Sequence, residues 1–212
     1  MKAKLLIAGA VLAFFSSCNM GNPLLKESSA PFGAPQFDKI SDEHYLPAFE
    51  AAIAEGKAEI DAIVENQEEP TFENTIEAME YAGQTLNTVA GIFYNLMEAN
   101  TNDQMQAVAE QVSPMLTEYS MYVSLNNDLF QRVKAVYEKK DELGLDQDQM
   151  TLLEDNYKSF VRGGANLSDE DKAVYSKLSE ELSLTTLQFS KNVLAATNAY
   201  TLHITDSTEL GG

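Results

Sequence analysis

The chain has 212 residues, of which 44% are hydrophobic, so it is long enough to bury a sizeable core and too apolar to be a disordered protein. Its 33 acidic and 14 basic residues give a formal net charge of −19, which repels phosphate backbones and anionic lipids and excludes nucleic-acid binding. Trp is absent and β-branched runs are scarce, so the composition favours helices over strands.

The amino terminus has the pattern of a bacterial signal peptide. Two lysines precede an apolar run, Leu5 to Phe15, that is too short to span a bilayer comfortably. The stretch Phe15-Ser16-Ser17-Cys18 resembles a lipobox, in which the cysteine is acylated. We therefore predict residues 1–17 as a lipoprotein signal peptide and Cys18, the only cysteine, as the lipidation site. An ordinary cleaved signal and an incidental buried thiol are the alternatives.

Residues 18–36 are rich in Gly, Pro and Ser, which predicts a flexible linker between a membrane surface and the folded domain. Ser41, followed by two acidic residues, predicts a short helical turn that Pro47 ends or kinks. The next predicted helix runs to about Glu65, and its apolar residues share one side.

A long helix is predicted from Thr71 to about Glu98. Pro70 is tolerated at a helix start, and the Thr71 hydroxyl can cap the first turn. Apolar residues recur every three or four positions from Phe72 to Met97, which predicts one buried seam, with Gly83 allowing close approach of a neighbouring helix.

The remaining helices are predicted from caps and apolar spacing. One begins after Asn100–Asp103 and contains Pro114, which either kinks that helix or begins a new one. Another follows Asn126 and ends near Gly144, and a third spans Asp146 to Val161. A capping box at Ser168 opens the last helix, to about Thr197. Within it, we expect the core stripe to contain Leu178, Leu182 and Phe189.

The end of the chain has a different pattern. Residues Tyr200 to Thr205 alternate apolar and polar side chains, which predicts a strand, yet the sequence offers no second strand to pair with it. We interpret residues 200–212 as the truncated start of a further segment. The predicted fold is thus all-α: six or seven mostly antiparallel helices over residues 37–199, one unpaired C-terminal strand, and an N-terminal signal and linker.

Several short motifs, in order along the chain, resemble the amino-terminal helical region of the thimet oligopeptidase, oligopeptidase A and peptidyl-dipeptidase family of zinc metallopeptidases. Pro70-Thr71-Phe72-Glu73-Asn74-Thr75-Ile76 is the most specific of these motifs. The others are His44 to Glu50, Phe93 to Leu96, Ser113-Pro114, Asn127 to Phe130, Phe160 to Ala165 and Phe189 to Leu194. The resemblance covers about residues 37–210.

The chain lacks the motif on which that family's chemistry depends, His-Glu-x-x-His on a helix. Its two histidines, His44 and His203, are far apart, and neither is followed by Glu-x-x-His. We predict that both are structural or exposed, and we assign no catalytic and no metal-binding residue to this chain. The resemblance implies zinc in the intact enzyme, and none bound by this chain alone.

The resemblance implies the substrate-gating, amino-terminal portion of an exported metallopeptidase that hydrolyses oligopeptides and releases carboxy-terminal dipeptides. Its expected partners are the missing catalytic region and short peptides, with membrane contact through the lipid anchor at Cys18 only. The expected location is the bacterial periplasm or cell envelope. The alternative is a free-standing helical surface lipoprotein that binds a partner and has no enzyme activity.

Overall fold

A computed structural model of the chain describes residues 21–206 and Thr208, so the predicted signal peptide and Cys18 lie outside the described residues. The predicted all-α fold is confirmed, because the described part contains helices and no strand. The α-helices are α1 (Tyr45–Val64), α2 (Ala78–Tyr81), α3 (Gln84–Asn100), α4 (Asp103–Ser124), α5 (Asn127–Glu138), α6 (Gln147–Arg162) and α7 (Asp169–Ala199). Among these residues, no helix is both long and apolar enough to cross a bilayer.

Polar side chains cap the helices where the sequence predicts helix starts. The Thr71 hydroxyl accepts a hydrogen bond from the Asn74 N–H at 3.1 Å, and Asn74 Oδ1 accepts one from the Thr71 N–H at 2.9 Å. Asp146 Oδ1 caps α6 by accepting from the N–H groups of Asp148 and Gln149, the second and third residues of the helix. Ser168 Oγ accepts from the Asp171 N–H at 3.1 Å and so caps α7. Each cap satisfies amides that have no partner within the helix.

The long helix predicted from Thr71 to Glu98 is broken in the structure. It begins as a six-residue π-helix, Phe72–Glu77, continues as α2, and stops at Gly83, whose φ of 74° is left-handed. The Gly83 N–H donates to Glu59 Oε2 at 2.7 Å. Gly83 therefore does more than allow close approach, because its backbone conformation separates α2 from α3.

Both interior prolines lie inside helices. Pro47 was expected to end or kink a helix, but it is the third residue of α1, where the backbone nitrogen needs no partner within the helix. Pro114 lies in the middle of α4, which continues without interruption from Asp103 to Ser124. Of the two predicted alternatives, Pro114 therefore does not begin a new helix, because α4 is one continuous helix.

Two hydrophobic clusters form the core, and α1 belongs to both. The first core joins the amino-terminal half of α1 to α3 and α4, and rings of Tyr45 and Phe49 pack edge-to-face on Phe93 at centroid distances of 4.9 and 5.4 Å. The second core joins the carboxy-terminal half of α1, through Ile60 and Ile63, to the π-helix, α5 and α6.

A short turn before α1 is part of the folded domain. Leu24 is buried in the first core, and Asn22 Nδ2 donates to the His44 carbonyl oxygen at 2.8 Å. Residues 18–36 were predicted to be a flexible linker from composition. The packed segment Asn22–Leu25 corrects that boundary, because one buried leucine and one hydrogen-bonded asparagine fix it to the helices.

Residues 200–206, which follow α7, form no helix. Tyr200 has extended backbone angles, and the side chains of Tyr200 and Leu202 are exposed. No strand is formed by residues 200–206, since no second extended segment in the described part of the chain offers them a hydrogen-bonding ladder.

Candidate functional site

Helix α7 turns its polar side towards the rest of the domain. None of its 31 residues is buried, and six are half-buried. Five of those six are lysine or serine, and they recur every three or four positions: Lys172, Ser176, Ser179, Ser183, Leu187 and Lys191. Because residues three and four apart share a face of a helix, these side chains form one inward-facing stripe.

Several polar contacts join α7 to α4, beside the packing of Leu187 against the first core. Ser113 Oγ and Ser183 Oγ lie 2.6 Å apart, and Lys191 forms an ion pair with Glu110. Lys172 Nζ donates to the Leu125 carbonyl oxygen at 3.1 Å. Hydrogen bonds and exposed ion pairs contribute little net stability. These contacts therefore determine the orientation of α7 more than they stabilise its packing.

The opposite flank of α7 exposes large apolar side chains. Leu178 is 57% exposed, and Leu182 and Phe189 are each 67% exposed. The sequence predicted these three residues in the core, and the structure shows that prediction to be wrong. We define the α7 apolar stripe as Val174, Leu178, Leu182, Phe189 and Val193, all of which are exposed.

Several grooves lie between α4 and α7, and two of them are considerably larger than the others. The first, of about 570 Å³, also reaches α3, and its wall includes the charged residues Glu98 and Lys191. The rest of the wall combines hydroxyl groups with thioether and aliphatic side chains, among them Tyr94, Met97, Ser113, Ser183, Thr186 and Leu194. The second, of about 700 Å³, includes Met121, Leu125 and Ser176. Burial raises the pKa of the Tyr94 phenol, which remains a neutral hydrogen-bond donor at neutral pH. A groove of this chemistry can accept a polar chain with small apolar side groups.

The two histidines are not brought together. His44 Nδ1 accepts a hydrogen bond from the Ser41 N–H at 3.0 Å and so forms part of the cap before α1, whereas His203 is exposed after α7. Within residues 21–206, no three His, Cys, Asp or Glu side chains converge on a point where a metal could bind.

Sequence reasoning missed the grooves and the reversed orientation of α7. The signal for the orientation is present in the sequence, since Ser176, Ser179 and Ser183 follow a helical spacing flanked by Lys172 and Lys191. That polar stripe competes with the apolar one for the inward face. Hydrophobic spacing alone favours the wrong choice.

Taken together, the fold and its surface define a helical domain with an apolar helix flank and hydroxyl-lined grooves. A family model for the neurolysin/thimet oligopeptidase N-terminal domain matches residues 49–172. The chain belongs to this family of peptidase N-terminal domains.

The similar proteins are much longer than the region that they share with this chain. Dipeptidyl carboxypeptidase of Escherichia coli is 40% identical over 191 residues, which are 90% of this chain and 28% of the relative. Organellar oligopeptidase A of Arabidopsis thaliana is 29% identical over 90% of this chain and 24% of its own length. Oligopeptidase A of Salmonella typhimurium is 28% identical over 91% of this chain and 28% of its own length. The chain thus spans little more than a quarter of the curated relatives that it matches.

Proposed function

We propose that this chain is the substrate-gating, N-terminal portion of a metallopeptidase that hydrolyses oligopeptides and releases carboxy-terminal dipeptides. The 40% identity to a dipeptidyl carboxypeptidase, over 90% of this chain, carries the proposal. The zinc of the intact enzyme and its catalytic residues belong to the region that the relatives have beyond the match. This chain contributes access and selection.

The gating role is supported by the groove between α3, α4 and α7. Its hydroxyl groups can hydrogen-bond a peptide backbone, and its thioether and aliphatic groups can accept small side chains. The acidic surface, with a net charge of −19, favours peptides with basic residues over acidic ones.

A chimera tests the enzymatic role. The chain replaces the matched N-terminal region of the Escherichia coli dipeptidyl carboxypeptidase, and dipeptide release from a blocked peptide is measured. We expect release by the chimera, and neither peptide hydrolysis nor stoichiometric zinc for the chain alone. Hydrolysis or about one tightly bound zinc per isolated chain would contradict the proposal.

A pair of substitutions in that chimera tests gating. Thr186 lines the groove, whereas Thr151 is exposed on α6, outside the groove and the α7 apolar stripe. We expect Thr186→Trp to raise KM for long peptides more than for short ones, because the indole narrows the groove. Thr151→Trp is the matched control and leaves the ratio of the two KM values unchanged. Equal effects of the two substitutions would rule out this groove as the gate.

We further propose the division of the chain into a signal peptide (1–17), a lipidated Cys18 with a short linker, a helical domain reaching residue 199, and the start of a further segment (200–212). Export to the bacterial periplasm or cell envelope follows from the lipid anchor. The test is Cys18→Ala in a host with lipoprotein processing. We expect it to abolish membrane association and to change the mature mass. An unchanged mass and unchanged fractionation would refute the anchor.

A further inference from the structure

We infer that the α7 apolar stripe is the surface on which the remaining, catalytic region of the peptidase packs. This inference rests on the proposed function, because it takes the occupant to be the region that the relatives have beyond the match. It assigns a specific contact surface: Val174, Leu178, Leu182, Phe189 and Val193 of α7.

The first argument is the orientation of α7. Its half-buried side consists of lysine and serine with one leucine, Leu187. Its other leucines, its valines and its phenylalanine are exposed. A helix at the surface of a complete globular protein shows the reverse arrangement. The stripe runs from Val174 to Val193, about 29 Å along the helix axis at 1.5 Å per residue, with Thr185 on the same side between Leu182 and Phe189. Five large apolar side chains exposed on one side of a single helix are typical of an interaction surface.

The second argument identifies the occupant. The matched region is 28% of the Escherichia coli relative, so 100 − 28 = 72% of that protein lies outside the part shared with this chain. A peptidase built like this relative thus contains a large body of chain that must contact this domain somewhere. Within residues 21–206, the α7 stripe is an apolar face whose five side chains are all exposed.

Charge argues against a second copy of the chain as the occupant. Two copies each carry a net charge of −19 and repel one another. Helix α7 itself has five acidic residues, Asp169, Glu170, Asp171, Glu180 and Glu181, against three lysines. Pairing two such helices would bring like charges together along the contact.

Cysteine labelling tests the inference directly. Cys18 is the only cysteine in the 212-residue sequence, so the Cys18→Ala variant has none. Single cysteines can then be placed at chosen sites. Leu182→Cys lies on the stripe, and Gln188→Cys is the matched control on the same exposed helix, about a third of a turn away. Maleimide labelling of each site is followed by peptide mass spectrometry, in the isolated chain and in the chimera with the Escherichia coli relative.

We expect both sites to label at similar rates in the isolated chain. In the chimera, labelling at position 182 should slow at least tenfold while position 188 keeps its rate. Undiminished labelling at position 182 in a chimera that releases dipeptides would overturn the interface and leave the proposed function standing. Protection at position 182 in an inactive chimera would support the interface and count against the proposed function.

The isolated chain provides a second measurement that does not depend on the chimera. Leu182→Glu should leave the melting temperature unchanged, because the side chain contacts solvent there. A fall of several degrees would show that the domain itself covers the stripe and would overturn the inference. A stable dimer that Leu182→Glu abolishes, together with unprotected labelling in the chimera, would assign the stripe to a second copy instead.

Discussion

The phenol of Tyr119 lies against two glycines from different elements. A Cβ atom added at Gly56 in α1 would lie 2.6 Å from Tyr119 Oη, and one added at Gly83 would lie 3.0 Å from it. Burial raises the pKa of Tyr119, and the carboxylate of Glu59 raises it further, so the hydroxyl stays neutral in this tight space. The ring of Tyr119 therefore leaves little room for a Cβ atom at either position.

Paired glycine substitutions test this packing. Gly56→Ala should lower the free energy of unfolding by about 1–3 kcal/mol, because the new methyl group displaces the Tyr119 ring. Gly91→Ala is the control, since Gly91 is also within a helix but has no neighbour near its Cβ position. It should raise stability by about 0.5–1 kcal/mol through helix propensity. Urea unfolding measures both, and a neutral or stabilising Gly56→Ala would contradict the packing described here.

A second residue-scale prediction concerns Tyr122 on α4. Its hydroxyl donates a hydrogen bond to Asp61 of α1, and this bond is the main cause that raises its pKa from 10.0 to about 12, with burial and the negative charges of Asp61 and Glu65 adding to it. The raised pKa means that the contact stabilises the fold below pH 10 and loses that contribution as the pH rises towards 12.

Absorbance titration of the tyrosines checks this value. One of the nine tyrosines should ionise near pH 12 in the folded chain, and Asp61→Asn should move that ionisation back towards 10.0. Tyr122→Phe is the control that removes the signal. An unchanged titration curve in Asp61→Asn would show that Asp61 does not hold the phenol.

At the scale of elements, the caps could be predicted from the sequence, while the hydrophobic spacing of α7 did not decide which of its sides faces the domain. Thr71 and Ser168 act on amides within their own turn, so local chemistry determines their role. The break at Gly83 depends on Glu59, which is distant in sequence and accepts the Gly83 N–H. Helix α7 carries a serine and lysine stripe and an apolar stripe, both at helical spacing, and spacing alone does not say which of the two faces inward.

A carboxylate on α6 links that helix to the turn after α5. Glu154 accepts hydrogen bonds from Lys140 at 2.6 Å and from Lys158 at 3.0 Å, and these bonds lower the pKa of Glu154 below its usual 4.5. A lowered pKa in the folded chain gives stability above that usual value, which is lost as the pH falls through the folded pKa.

We predict that Glu154→Gln reduces stability at neutral pH and has a smaller effect in acid. The comparison is urea unfolding of wild type and variant at pH 7 and in acid, as the pH falls through the lowered pKa of Glu154. Glu138→Gln is the control, because Glu138 is more exposed and its ion pair with Lys134 is long at 3.8 Å. An equal loss at both pH values would show that the Glu154 charge is not responsible.

At the scale of the whole molecule, charge and the α7 apolar stripe oppose each other. The net charge of −19 keeps isolated chains apart, and the exposed leucines and phenylalanine of α7 favour association. We predict that raising the salt concentration from about 0.01 M to about 1 M increases self-association, because the screening length falls from about 30 Å to about 3 Å.

Analytical ultracentrifugation measures this effect. The weight-average mass of the isolated chain should rise with salt, and Leu182→Glu should abolish the rise while Gln188→Glu preserves it. A mass that is independent of salt, or a rise that survives Leu182→Glu, would show that the stripe does not drive association.

Family membership could be predicted from short motifs that follow one another in order along the chain, and the most specific of them lies on a packed element. Phe72 and Ile76, in the most specific motif, are both buried in the second core. The grooves could not be predicted in this way, because they form where α7 fails to fill the space beside α4, and no local pattern encodes a gap between two helices.

The position of α1 in both cores has a consequence for synthesis on the ribosome. The buried residues of the first core end at Val112, whereas those of the second continue to Ala165, a further 165 − 112 = 53 residues. At about 5–20 residues per second, the first core can close roughly 3–10 s before the second has all its parts. During that interval Ile60 and Ile63, in the carboxy-terminal half of α1, have no partner from α5 or α6. They stay exposed until those two helices have been synthesised.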